Sequence, residues 1–149
     1  MNSYVIGLDF GTDSVRAILV NTSNGEEIAN SVYKYDKWSK GLFCEPKTNQ
    51  YRQHPSDHFI GLKHTIKEII FKSKIKPDNI KAISIDTTGS SPIAVSKDGT
   101  ALAFKKDFEN NPNAMVVLWK DHTAVAEAEE INQLANEKNE IDYLKFSGG

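Results

Sequence analysis

The chain has a single cysteine, Cys44, so it can form no internal disulfide and has no second thiol for a thiolate metal site. A reducing compartment suits that usage, and a packed, inert thiol is the ordinary role for such a residue. No apolar run approaches the roughly 18 residues that a membrane span requires, and no basic segment leads into an apolar one at the start. These absences predict no signal peptide, no membrane partner and a cytoplasmic placement. Neither sign of charge dominates, with 18 Lys and Arg against 20 Asp and Glu and no long run of either. No nucleic-acid partner is therefore expected. Internal repeats and low-complexity tracts are also missing.

What is present is enough for one domain with a real core: 149 residues, 39% of them hydrophobic before nine glycines are counted. Its first twenty residues carry the strongest pattern. Two short β-rich runs, Tyr4 to Leu8 and Val15 to Val20, flank a polar bend holding Asp9, Gly11, Thr12, Asp13 and Ser14. This reads as two antiparallel strands around a tight turn. Gly11 can take a positive φ, which would let the backbone fold close over a ligand. Such a turn can aim successive N–H groups into one concavity that holds phosphate oxygens, with the Thr12 and Ser14 hydroxyls as further donors. Asp9, at the strand end, offers a hard oxygen suited to Mg²⁺ or its bound water. The plainer reading is a hairpin turn that needs Gly and Asp only for shape. The dinucleotide fingerprint is excluded, because no G-x-G-x-x-G follows and a strand rather than a helix comes next.

Asn24-Gly25 signals a second hairpin, making Glu26 to Tyr35 a third strand and the whole a three-stranded antiparallel meander. Lys37 to Tyr51 reads as an irregular loop tied down by Trp38 and Phe43. Pro55, Ser56 and Asp57 open a helix whose apolar positions Phe59, Leu62, Ile66, Ile69 and Ile70 recur at three and four residues, ending near Lys74. Ile80 to Asp86 is expected as a central strand covered on both faces, parallel to an earlier strand through a right-handed crossover. A small-residue loop, Thr87 to Pro92, precedes a hairpin of Ile93 to Val95 with Ala101 to Phe104. Met115 to Trp119 reads as a further strand, Thr123 to Asn136 as a second helix and Ile141 to Phe146 as a short element. The order implies an α/β fold with a mixed sheet, the meander plus parallel strands, and flanking helices.

The bend Asp9-Phe10-Gly11-Thr12-Asp13-Ser14-Val15-Arg16 resembles the first phosphate loop of the FGGY carbohydrate kinases, members of the actin-like ATPase superfamily with its ribonuclease-H-like halves. Asn49 to Pro55, Asp86 to Pro92 and Asn110 to Met115 extend the resemblance along essentially the whole chain. Most specific is Val117-Leu118-Trp119-Lys120-Asp121-His122-Thr123-Ala124. The wider family reads Trp-x-Asp-x-Arg here, whereas Thr123 stands in the Arg position, a form similar to the branch that phosphorylates L-ribulose.

The resemblance implies ATP-dependent transfer of the γ-phosphoryl group to the terminal hydroxyl of L-ribulose in arabinose breakdown, with ATP and Mg²⁺ as cofactors. Asp9 would order Mg²⁺ through water, and the bend from Gly11 through Ser14, Asp13 included, would hold phosphate oxygens. Thr88, Gly89 and Ser90 would line the sugar pocket, and Trp119, Lys120 and Asp121 would face the same cleft. Arg16 is expected in an ion pair rather than on phosphate. His54 and His58, four apart, are expected to cap or face solvent rather than bind metal.

The resemblance also implies that residues 1–149 are the N-terminal domain of a longer kinase, an incomplete one. No catalytic residue is expected within this chain, since the base would lie beyond Gly149. The remainder of the polypeptide would be its main partner, bringing that base and most nucleotide contacts, and a homodimer is compatible with this. The rivals are an FGGY kinase for xylulose or ribitol, and a non-catalytic actin-like phosphate-binding module.

Overall fold

The computed structural model describes residues 3–138. Strands β1 (Tyr4–Phe10), β2 (Ser14–Asn21) and β3 (Glu27–Lys34) form the expected meander. Asp9 faces Arg16 across the first hairpin and Ile6 faces Leu19. Gly25, at φ 74°, takes the left-handed backbone that an Asn-Gly turn requires. A short helix α1 (Asp36–Ser39), the two-residue β4 (Cys44–Glu45) and β5 (Gln50–Gln53) follow. Helix α2 (Pro55–Ser73) then crosses back to β6 (Ile80–Thr87), which pairs parallel with β1. The sheet order is β3-β2-β1-β6. This is the α/β mixed sheet with flanking helices read from the sequence.

Alternation decides which side of the sheet is core. Ile6 and Leu8 of β1, Ala17 and Leu19 of β2 and Ala29 of β3 point to one face and cluster with Ile69 of α2. Helix α2 reaches this face because Gly61 has no side chain. A Cβ there would lie 2.5 Å from Val15 Cγ1 and 3.0 Å from Tyr33 Cδ1. Gly61→Val is therefore expected to push α2 off the sheet and cost about 1–3 kcal/mol. An unchanged urea midpoint for this variant would contradict that packing.

Several expectations are corrected. Strand β6 is not central: among the described residues it is an edge strand, with Ile83 and Ile85 more than half exposed. Helix α2 packs chiefly over β2 and β3, so it leaves β6 uncovered. An apolar trough of about 610 Å³ results, lined by Phe10, Phe59, Leu62, Ile85 and Phe104 among others. The hairpin expected at Ile93 to Phe104 is reduced to a single bridge, Val95 to Ala101, followed by a 3₁₀ turn. The Lys37 to Tyr51 stretch is not wholly irregular, since α1 and β4 lie within it.

The strand expected at Met115 to Trp119 shrinks to β7 (Val116–Val117). Together with β4 and β5 it forms a second small sheet, β4-β5-β7. Helix α3 (Val125–Glu137) forms where expected but buries no residue. The element read at Ile141 to Phe146 lies outside the described residues, and so does Gly149, beyond which the catalytic base is expected. No helix among the described residues is long and apolar enough to cross a membrane.

Candidate functional site

The β1–β2 turn sits at one end of the main sheet. Gly11 N–H donates to Ser14 O at 2.9 Å, closing it. No residue from Gly11 to Ser14 has a positive φ, so the left-handed Gly11 expected from the sequence is not what shapes the bend. Its carbonyls are held from the interior instead. Tyr35 N–H donates to Asp13 O at 2.9 Å, and the Gln53 side-chain amide donates to Thr12 O. Ser14 is buried and its hydroxyl donates to Asp13 Oδ1 at 3.0 Å. Thr12 is left as the bend's half-buried hydroxyl.

The other expected segments converge on this turn. Thr88 N–H donates to Phe10 O at 3.2 Å, seating the Thr88-Gly89-Ser90 loop against the end of β1. Trp119 is 58% exposed, and its indole Nε1–H donates to Thr12 Oγ1 at 3.4 Å. A core role for Trp119 is thus ruled out: its ring stands in the open beside the turn. Lys120 Nζ lies 4.9 Å from the Trp38 ring centre and 4.6 Å from that of Tyr51, a cation–π clamp that fixes the ammonium.

Asp121 behaves differently. Although expected on the cleft face, its side chain is only 2% exposed and is paired with the Arg52 guanidinium, Nε to Oδ2 at 2.6 Å. Tyr51 N–H at 2.8 Å and the Thr123 hydroxyl at 2.7 Å complete its shell. Burial alone would raise its pKa, but hydrogen bonds from Arg52, Thr123 and Tyr51 hold it well below the usual carboxylate range. Arg52 also donates to Asn113 Oδ1 at 3.1 Å and Thr123 Oγ1 at 2.8 Å. These contacts bind β5, the Asn113 turn and the Trp119–Asp121 segment into one unit.

On the sheet face opposite α2, Asp9 faces Asp86 across the parallel pair. With Arg16, Ile18 and Ser84 they border a hollow of about 340 Å³. Arg16 Nη1 lies 3.3 Å from Asp9 Oδ2, the expected ion pair, with both side chains about half exposed. Two neighbouring carboxylates open to solvent are a donor set that fits Mg²⁺, which takes one or two carboxylates and keeps several waters.

His54 and His58 serve structure. His54 Nδ1 accepts the Ser56 N–H at 3.1 Å, capping α2. His58 packs between Phe10 and Tyr35, with Nε2 3.1 Å from Gln53 Oε1. Burial lowers the pKa of both below the ordinary 6.5, Lys37 lowers His54 further, and Asp57 partly opposes the shift in each. With a folded pKa below the unfolded one, the unfolded chain takes up protons first as pH falls. Their contribution is full above about pH 6.5 and is lost below it. The thermal midpoint is expected to drop from about pH 7.5 to about pH 5.5; a flat midpoint by circular dichroism would rule this out. Among the described residues no cluster of three or more His, Cys, Asp or Glu forms a metal site. Burial also pushes the Cys44 thiol up, as suits an unreactive side chain.

Arg52, Gln53 and the second sheet escaped the sequence reading. Arg52 and Asp121 lie in stretches that carry the resemblance, but their pairing across 69 positions leaves no local signal.

The chain is 47% identical over 147 residues to the ribulokinase of Vibrio parahaemolyticus serotype O3:K6, covering 98% of this chain and 26% of that one. It is 33% identical over 156 residues to the ribulokinase of Shouchella clausii, covering 99% and 27%. The chain thus spans about a quarter of the length of the curated relatives it matches. Among solved structures, it superposes on the xylulose kinase of Rhodospirillum rubrum with a TM-score of 0.64 at 17% identity, over 86% of this chain and 22% of that one. The gluconate kinase of Lactobacillus acidophilus gives 0.64 at 22% identity, over 93% and 23%. At these identities the likeness shows the fold. Residues 4–144 match the N-terminal domain of the FGGY family of carbohydrate kinases, and the chain belongs to that family.

Proposed function

We propose that this chain is the N-terminal part of an ATP- and Mg²⁺-dependent kinase that phosphorylates the terminal hydroxyl of L-ribulose to give L-ribulose 5-phosphate. One observation carries the reading: the bend, the Thr88 loop and Trp119 meet at one sheet end through the Phe10 and Thr12 contacts. The ribulokinase form Lys120-Asp121-His122-Thr123-Ala124 and the likeness to two ribulokinases favour the pentulose.

In this reading Asp9, beside Asp86, orders Mg²⁺ through water, Thr12 and Asp13 receive phosphate oxygens, and Gly11, whose N–H is spent on Ser14 O, leaves them room. Ser14 acts from within, through Asp13. Thr88, Gly89 and Ser90 wall the sugar pocket, the exposed Trp119 ring offers it a flat apolar face, and the clamped Lys120 ammonium supplies a fixed positive charge. Asp121 anchors that segment. Phosphoryl transfer asks for positioning and charge neutralisation more than covalent chemistry. The base that deprotonates the sugar and most adenine contacts belong to the remainder of the polypeptide, beyond Gly149, so residues 1–149 alone are expected to turn nothing over. A cytoplasmic location goes with this role.

The test is a coupled ADP-release assay on a full-length kinase carrying this chain, with L-ribulose against D-xylulose and ribitol. Preference for L-ribulose supports the reading. Preference for either other sugar moves the chain to another branch of the family. No sugar-dependent release at all favours a binding module. Ribulose-dependent release from the 149 residues alone would overturn the division of labour, because the base would then lie before Gly149.

A further inference from the structure

The interior of the fold reaches the bend through one side chain that the function above leaves unused. Gln53, at the end of β5, is only 2% exposed, and its side-chain amide donates to Thr12 O while its Oε1 lies 3.1 Å from His58 Nε2. The Thr12 carbonyl can only accept, so the Gln53 nitrogen must face it. That turns Gln53 Oε1, also only an acceptor, toward His58. His58 Nε2 must then carry the proton. Burial lowers the His58 pKa and so favours the neutral ring, in which Nε2 is then the protonated nitrogen. The relay has one self-consistent polarity, running from His58 on α2 through Gln53 to the Thr12 carbonyl.

We propose that Gln53 is a positioning residue that sets the orientation of the Thr12–Asp13 peptide, turning the Asp13 N–H toward the phosphate side of the bend. The inference rests on reading the bend as a phosphate holder. Its physical basis is the planar trans peptide, in which C=O and N–H point in opposite directions. Pulling the Thr12 carbonyl inward therefore turns the Asp13 N–H outward. Among the described residues the Asp13 N–H has no acceptor, as a donor kept for an external oxygen requires. The next carbonyl, Asp13 O, is also held from the interior, by Tyr35 N–H at 2.9 Å. The bend thus owes its concavity to donors beneath it, which explains how it forms with no left-handed residue.

The experiment uses two variants, made in the 149-residue chain for spectra and in the full-length kinase for binding. Gln53→Met keeps the length and burial and removes both hydrogen bonds. Gln53→Glu keeps the acceptor for His58 and replaces only the donor to Thr12, so it serves if the first variant does not fold. ¹⁵N–¹H spectra without ligand should show the Asp13 amide moved in either variant, with amides of β3 unmoved. Calorimetric titration of the full-length kinase proposed above with MgATP should show affinity falling about 10- to 100-fold when either substitution is introduced, the worth of one hydrogen bond to a charged group. An Asp13 amide that stays in place, or MgATP affinity unchanged in a folded variant, overturns the proposal. If the amide moves but the wild-type full-length kinase binds no MgATP, the peptide inference stands and the phosphate reading fails.

Discussion

Replacing Arg52 with Met is expected to destabilise the fold by about 3–5 kcal/mol, the usual result of stripping one partner from a buried ion pair. The variant leaves the Asp121 carboxylate, 2% exposed, without its guanidinium. Only the Tyr51 and Thr123 donors remain to it. Asn113 and Thr123 lose their Arg52 contacts at the same time. A domain of this size holds only about 5–15 kcal/mol in total, so a urea melt should show most of the margin gone. Replacing both partners, Arg52→Met with Asp121→Leu, should recover much of the loss, because no uncompensated charge stays buried. If Arg52→Met melts at the wild-type midpoint, the network does not anchor the Trp119 segment. The single variant should also free the exposed Trp119 ring from its station beside Thr12, read as a change in its fluorescence.

The sequence made the main sheet legible because its signals are local. The alternation of β1 and β2, the Asn24-Gly25 turn and the apolar spacing of α2 each lie within a few residues. Strand β6 misled for the opposite reason. Its Ile83 and Ile85 have the composition of a covered strand, but cover depends on what packs over it, which no window of the strand contains. The second sheet was invisible since β5 and β7 pair across more than sixty positions in runs of two to four residues. At the candidate site, motif spacing found the residues and missed their directions. Trp119, ordinarily a core residue, stands exposed, while Asp121, ordinarily a surface residue, is turned inward to Arg52. Which way a side chain turns is settled by partners distant in the chain.

Asp9 is the converse of Asp121, and Asp9→Asn is expected to separate activity from folding. Its carboxylate is 47% exposed, and its ion-pair partner Arg16 is 60% exposed. Such a pair contributes at most about 1 kcal/mol and is weakened by salt. The thermal midpoint of the variant should stay close to the wild-type value. Turnover by the full-length kinase proposed above should fall on the order of 100- to 1000-fold, the scale on which losing one group that stabilises developing charge is felt. Asn keeps the shape and one oxygen but not the negative charge that holds a hard cation. Arg16→Gln supplies the control: it removes the same ion pair and leaves the carboxylate in place, so turnover should survive. Were Asp9→Asn to unfold the chain, the residue would belong to the scaffold. Were it to retain turnover, the cation would have to be held without it, by Asp86 on the adjoining strand or by the remainder of the kinase.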